Sequence, residues 1–106
     1  MTHFELIIGL KAHLNRNLND GVRDIILFGS RSKNTASEFS DYDILIVLYN
    51  DVDWKEKNTI VSLIYEYELE HEVFFDSHFL SLNEINNSQR GRQPIFIEAL
   101  EKGVYA

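Results

Sequence analysis

Two hydrophobic periodicities alternate along this chain. From Thr2 to Leu18, the residues Phe4, Ile7, Leu10, Leu14 and Leu18 recur at three- and four-residue spacing, which places them on one face of an amphipathic helix. Asn19, Asp20 and Gly21 end it with turn chemistry. The run Ile25-Ile26-Leu27-Phe28, inside Asp24 to Phe28, is short and rich in β-formers and predicts a buried strand. Tyr42 to Tyr49 predicts a second strand, apolar on both faces as a strand covered on both sides requires. Asp53 with Glu56 has the spacing of a helix start, and Trp54, Ile60, Val61, Ile64 and Tyr67 form a helical stripe running to about Leu69. Glu72 to Leu80 predicts a third strand. The polar stretch Asn83 to Arg92 suits a short helix and a loop. Pro94 to Glu101 predicts a last helix with Ile95, Ile97 or Phe96, and Leu100 turned inward, and Val104 to Ala106 could add an edge strand.

The element order is therefore α, β, β, α, β, α, with a possible final β. It predicts an α/β (α+β) fold, a mixed sheet of three or four strands flanked by helices. A chain of 106 residues suggests one domain over its whole length, 1–106.

Composition narrows the function. The net charge is −7, so non-specific nucleic-acid binding is not expected, since phosphate contacts need Lys and Arg. Solubility accounts for that charge, and a basic protein partner would also match it. The absence of Cys removes disulfide scaffolds, thiolate metal sites and thiol catalysis. The first residues lack a basic leader, and the longest apolar run, Ile44 to Tyr49, is strand-sized. The expected location is cytoplasmic, with no membrane contact.

One constellation carries chemistry. Gly29-Ser30 stands where the first strand ends, followed by ten residues and then Asp41-Tyr42-Asp43. A glycine there lets backbone N–H groups approach a phosphate closely. Ser30 offers a hydroxyl at a helix start, and Arg31 a permanently charged fork. Asp41 and Asp43 are two apart, so on a strand both point to one face. Side-by-side carboxylates repel, and Mg²⁺ with phosphate oxygens resolves the repulsion. Asp76 interrupts the apolar third strand. If that strand lies beside the second, the three carboxylates converge on a metal pair.

The segments Phe28-Gly29-Ser30-Arg31-Ser32 and Ser40-Asp41-Tyr42-Asp43-Ile44 resemble the signature of the DNA polymerase β-like nucleotidyltransferases, and at this length the chain resembles their minimal branch. The resemblance implies the polymerase β-like fold. It implies that Gly29 and Ser30, with Arg31, hold the triphosphate of an NTP such as ATP, and that Asp41 and Asp43 hold Mg²⁺. Asp76 matches the third carboxylate, which activates the attacking hydroxyl in larger members. Many minimal members resemble the antitoxin half of a toxin–antitoxin pair. The implied partner is then an all-helical HEPN-domain ribonuclease toxin, neutralised by transfer of AMP to its hydroxyl groups or by masking alone. Asn34 departs from the glycine common in the family, and a one-residue slip of the third strand would carry Asp76 to the opposite face.

Other residues read as structural. No two His have metal-binding spacing. His3 and His13 read as exposed, and His71 lies at a helix–strand junction. His78 shares strand parity with Asp76, but the better reading leaves it outside the site. Lys33 reads as a surface charge, Arg90 and Arg92 as a solvated loop, and Tyr65, Tyr67 and Trp54 as core packing. An unrelated α/β domain with a chance motif is the reading to exclude.

Overall fold

In the computed structural model, residues 2–29 and 41–106 are described. Ser30, Arg31, Lys33, Asn34 and Ser40 lie outside them.

Helix α1 (His3–Asn17) starts at Thr2, whose hydroxyl accepts from the Glu5 N–H while the Glu5 carboxylate accepts from the Thr2 N–H. Strand β1 (Val22–Phe28) follows a turn in which Asn19 and Asp20 adopt positive φ. The Asn15 side chain brackets the Val22 backbone, donating to its C=O at 3.1 Å and accepting from its N–H at 2.9 Å. Then come β2 (Tyr42–Leu48), α2 (Trp54–His71) and β3 (Phe75–Ser81). Asp53 caps α2 by accepting from the Glu56 N–H at 2.8 Å. A short α3 (Leu82–Asn87), a 3₁₀ turn (Arg90–Arg92), α4 (Pro94–Lys102) and β4 (Val104–Tyr105) complete the order.

The strands form one mixed sheet in the order β3-β2-β1-β4. β1 is antiparallel to β2 and β4, whereas β2 and β3 are parallel. A parallel pair needs a crossover, and α2 supplies it. The expected mixed sheet with flanking helices is therefore what forms.

Alternation along the central strands sends side chains into two cores. Ile25, Leu27, Ile44 and Ile46 pack under α1 and α2 against Ile7, Leu10, Leu14, Ile60 and Tyr67. Ile26, Phe28, Leu45 and Val47 pack on the other face against Leu80 and the α4 residues Phe96 and Ala99. Each such aliphatic side chain, fully buried, stabilises the fold by about 1.5–3 kcal/mol. Among the described residues, no helix is long and apolar enough to cross a membrane.

Several inward assignments differ from expectation. Phe4 is exposed, and Leu6 takes its place in the core. Trp54, Tyr65 and Val61 lie on the open face of α2, because Ile60, Leu63, Ile64 and Tyr67 already fill the inner one. In α4, Ile95 and Ile97 are exposed while Phe96 and Ala99 point in. His13 is largely buried, its Nε2 3.1 Å from the Leu63 C=O and 3.5 Å from Glu66. His3 lies half-buried, edge-on to Tyr42 at 5.2 Å. Arg90 is no free loop cation: it donates to the Phe79 C=O at 3.2 Å, lies over the Phe96 ring and approaches Glu84.

Candidate active site

The site forms where β1 ends and β2 begins. Leu27 pairs with Ile44 and Phe28 with Asp43, so the chain leaves β1 at Gly29 directly beside the start of β2. Gly29 has φ +74°, a left-handed conformation that costs an L side chain about 1–2 kcal/mol. Space forbids a side chain as well. A Cβ on Gly29 would lie 3.2 Å from Asp43 Cγ and closer still to Oδ2. The glycine thus lets the backbone close over the Asp43 carboxylate.

Asp43 is half-buried on β2, and Asp41 is exposed just before that strand. The parallel register pairs Asp43 with Asp76 on β3. The Tyr42 N–H donates to the Phe74 C=O at 2.9 Å and anchors this register. At the same end, Glu68 of α2 accepts from the Phe75 N–H at 2.9 Å. Asp76 therefore lies on the Asp43 side of the sheet, where a one-residue slip would have removed it. The structure brings Gly29, Asp43 and Asp76 together, with Asp41 at the entrance to β2. Ser30 and Arg31 lie outside the described residues.

The electrostatics follow from this crowding. Burial raises the pKa of Asp43 above the ordinary carboxylate value. The charge of Asp76, a hydrogen bond with Asp76 and the charge of Asp41 push the same way, while His78 opposes them. A carboxyl that is half-buried beside two like charges gains from a cation. The donors are hard oxygens, which suits Mg²⁺ better than a softer ion. Among the described residues, no three His, Asp or Glu side chains gather closely enough to hold one ion. Asp43 and Asp76 are the adjacent pair, and Asp41 acts on Asp43 through its charge.

The favoured sequence reading left His78 outside the site, and the structure places it at the edge. Its Nε2 is 3.7 Å from Asp76 Oδ2, and its ring packs on Phe28 at 5.8 Å and Phe96 at 5.9 Å. Among the described residues, that Nε2 is buried without a hydrogen-bond partner. Its parity with Asp76 was the available signal. The two phenylalanines that bury it come from β1 and α4, distant in sequence.

A mixed sheet that carries a closed-in glycine at one strand end and paired carboxylates on the next two strands defines a nucleotidyl-transferring class of protein. The chain belongs to the Polymerase beta, nucleotidyltransferase family, which matches residues 10–95. It is also similar to a Methanocaldococcus jannaschii protein provisionally named a protein adenylyltransferase. The two are 32% identical over 73 residues, which cover 69% of this chain and 74% of that relative.

Proposed function

We propose that this nucleotidyltransferase uses Mg²⁺ and transfers an NMP group, AMP from ATP, to a hydroxyl of a partner protein. The observation that carries the reading is the in-register pairing of Asp43 with Asp76 beside Gly29. The name of the M. jannaschii relative supports a protein acceptor.

In this reading the adjacent Asp43 and Asp76, joined by Asp41 once its exposed side chain turns toward them, would hold Mg²⁺, which would neutralise the triphosphate and the developing negative charge. Gly29, Ser30 and Arg31 bind the phosphates. The acceptor oxygen attacks the α-phosphorus as the bond to the β-phosphate breaks. Pyrophosphate leaves with the bonding electrons, and the hydroxyl proton passes to Asp76, the more exposed carboxylate of the pair. Asp43, turned inward under Gly29, stays as the fixed negative group.

The biological setting we infer is a toxin–antitoxin pair in the cytoplasm, with this chain neutralising a HEPN ribonuclease. Masking without transfer is the second reading, and the exposed apolar face of α2 favours it. One experiment separates them: the chain, its neighbouring gene product, Mg²⁺ and the four NTPs are mixed and intact masses are recorded. A partner heavier by one or more NMP units supports transfer and identifies the nucleotide. A stable complex with no added mass supports masking. Loss of the added mass in Asp41→Ala and Asp43→Ala is expected, and unchanged transfer would remove those residues from the mechanism.

A further inference from the structure

Helix α2 has two apolar faces. The inner one is core. The outer one carries Val61, Tyr65 and Leu69 at four-residue intervals, with Trp54 in line two turns before Val61. Trp54 is 69% exposed, Leu69 63% and Tyr65 58%. Beyond the helix, Phe74 is 72% exposed. Between this face and the outer edge of β3 runs a groove of about 470 Å³, lined by Val61, Tyr65, Glu68, Phe75, Ser77 and Phe79 among others. Side chains this large, exposed at successive turns from Val61 to Leu69, mark an interaction surface, with Trp54 two turns away beyond Lys57 and Asn58.

Three observations identify the occupant. First, the surroundings are mainly acidic, with Lys55 beside Trp54 and Lys57 over the Phe79 ring as cations at one end. From Asn58 to Gln89 there is no Lys or Arg, while Glu66, Glu68, Glu70, Glu72, Asp76 and Glu84 are all acidic. A second copy of this chain would bring the same carboxylates against themselves, so a basic partner is favoured. Second, an added β-strand is obstructed. β3 lies at the edge of the sheet, but the Phe75 N–H is already held by Glu68 and the Phe79 C=O by Arg90. Third, Val61, Tyr65 and Leu69 form a ridge of four-residue spacing, the surface that receives another helix.

We propose that the groove between α2 and β3 docks a basic amphipathic helix of the acceptor protein. This rests on the reading that the acceptor is a protein. Phe75 and Ser77 line the groove, and Asp76 between them points to the opposite face, into the active site. A partner held along β3 is therefore one strand's thickness from the carboxylate that takes the hydroxyl proton. The docking surface and the chemistry share a strand.

Trp54 is the only Trp in the chain, so its emission reports directly on this face. The probe is a synthetic Leu/Lys peptide of about five helical turns (roughly 18 residues) with all Leu on one face. A Leu/Glu peptide of the same pattern and a scrambled Leu/Lys peptide serve as controls. The expected result is a blue shift of Trp54 and saturable binding for the patterned Leu/Lys peptide alone, weakened by salt. Tyr65→Ser and Leu69→Ser, both at exposed positions, should each weaken binding about tenfold with an unchanged circular dichroism spectrum. Equal binding of the Leu/Glu or scrambled peptide would overturn the proposal. So would full affinity in the Tyr65→Ser/Leu69→Ser double variant, or a blue shift with lipid vesicles and none with the peptide. Asp43→Asn should bind the peptide like the wild type. Binding without any acceptor labelling would thus sink the functional reading alone, and labelling that survives Tyr65→Ser would sink the groove alone.

Discussion

Asp43→Asn should make the metal-free protein more stable while abolishing transfer. Neighbouring strands are about 4.8 Å apart, so about 5 Å is the separation to which the hydrogen-bonded Asp43 and Asp76 carboxyls relax when both are charged. Two unit charges at about 5 Å repel by ~0.8 kcal/mol in water and by ~3 kcal/mol at an effective dielectric of ~20. The Asp76 side chain is 56% exposed, so solvent screening holds the value near the lower end, about 1 kcal/mol. For a chain of 106 residues, that corresponds to a rise in Tm of about 4 °C. The assay is thermal unfolding followed by circular dichroism at neutral pH in EDTA. High salt should shrink the gain, and Mg²⁺ should stabilise the wild type more than the variant. Acid should shrink it too. The native pKa of Asp43 is raised above 3.8, so on lowering the pH the folded chain takes up the proton before the unfolded chain does. Wild-type stability therefore rises as pH falls through the native pKa, and the advantage of Asn disappears toward pH 3.8. A variant less stable than wild type in EDTA, or a gain that ignores both salt and pH, would refute the repulsion argument.

Three further outcomes follow from contacts in the fold. Gly29→Ala should lower stability by about 1–2 kcal/mol, since the new Cβ is strained at φ +74° and strikes the Asp43 carboxylate. Urea unfolding measures this, and a neutral result would contradict the close approach. His78→Leu removes a buried nitrogen that lacks a hydrogen-bond partner among the described residues, so stability should hold or rise by about 1 kcal/mol in the same assay. A fall of that size would mean that Nε2 is satisfied in solution. Tyr67→Phe removes the bond from the Tyr67 hydroxyl to the Leu6 C=O, 2.8 Å long and buried, and should cost about 1–2 kcal/mol. Burial, then the charge of Glu70, raises the pKa of this phenol above 10.0, so the unfolded chain loses the proton first. The tyrosine's contribution should therefore fall as pH rises past 10.0, and the gap between wild type and Tyr67→Phe should close there.

The order of elements was legible because Ile25 to Phe28 and Ile44 to Leu48 are apolar on both faces, short and rich in β-branched residues, as strands of a sheet covered on both sides are. The approach of Asp43 to Asp76 followed once β3 was placed beside β2, but its register was not legible. It depends on Tyr42 meeting the Phe74 carbonyl, 32 residues away, and on Glu68 reaching past the helix end to hold the Phe75 N–H, contacts that hydrophobic periodicity does not report. Helix faces misled where two stripes compete. Trp54, Val61 and Tyr65 have the same spacing as the true inner residues, and hydrophobicity alone does not say which stripe meets the sheet. Helix α4, nine residues long, is too short for periodicity to choose Phe96 and Ala99 over Ile95 and Ile97.

The parallel pairing of β2 with β3 also governs when the site comes into being. Asp43 and Asp76 are separated by the whole of α2, and β3 docks beside β2 only after that crossover has folded back. Closing such a long loop is slow compared with forming the β1–β2 pair or any helix. The repelling carboxylates therefore meet late, once the contacts that outweigh their repulsion exist. A chain still folding carries no assembled carboxylate pair, so the candidate site and the complete fold arrive together.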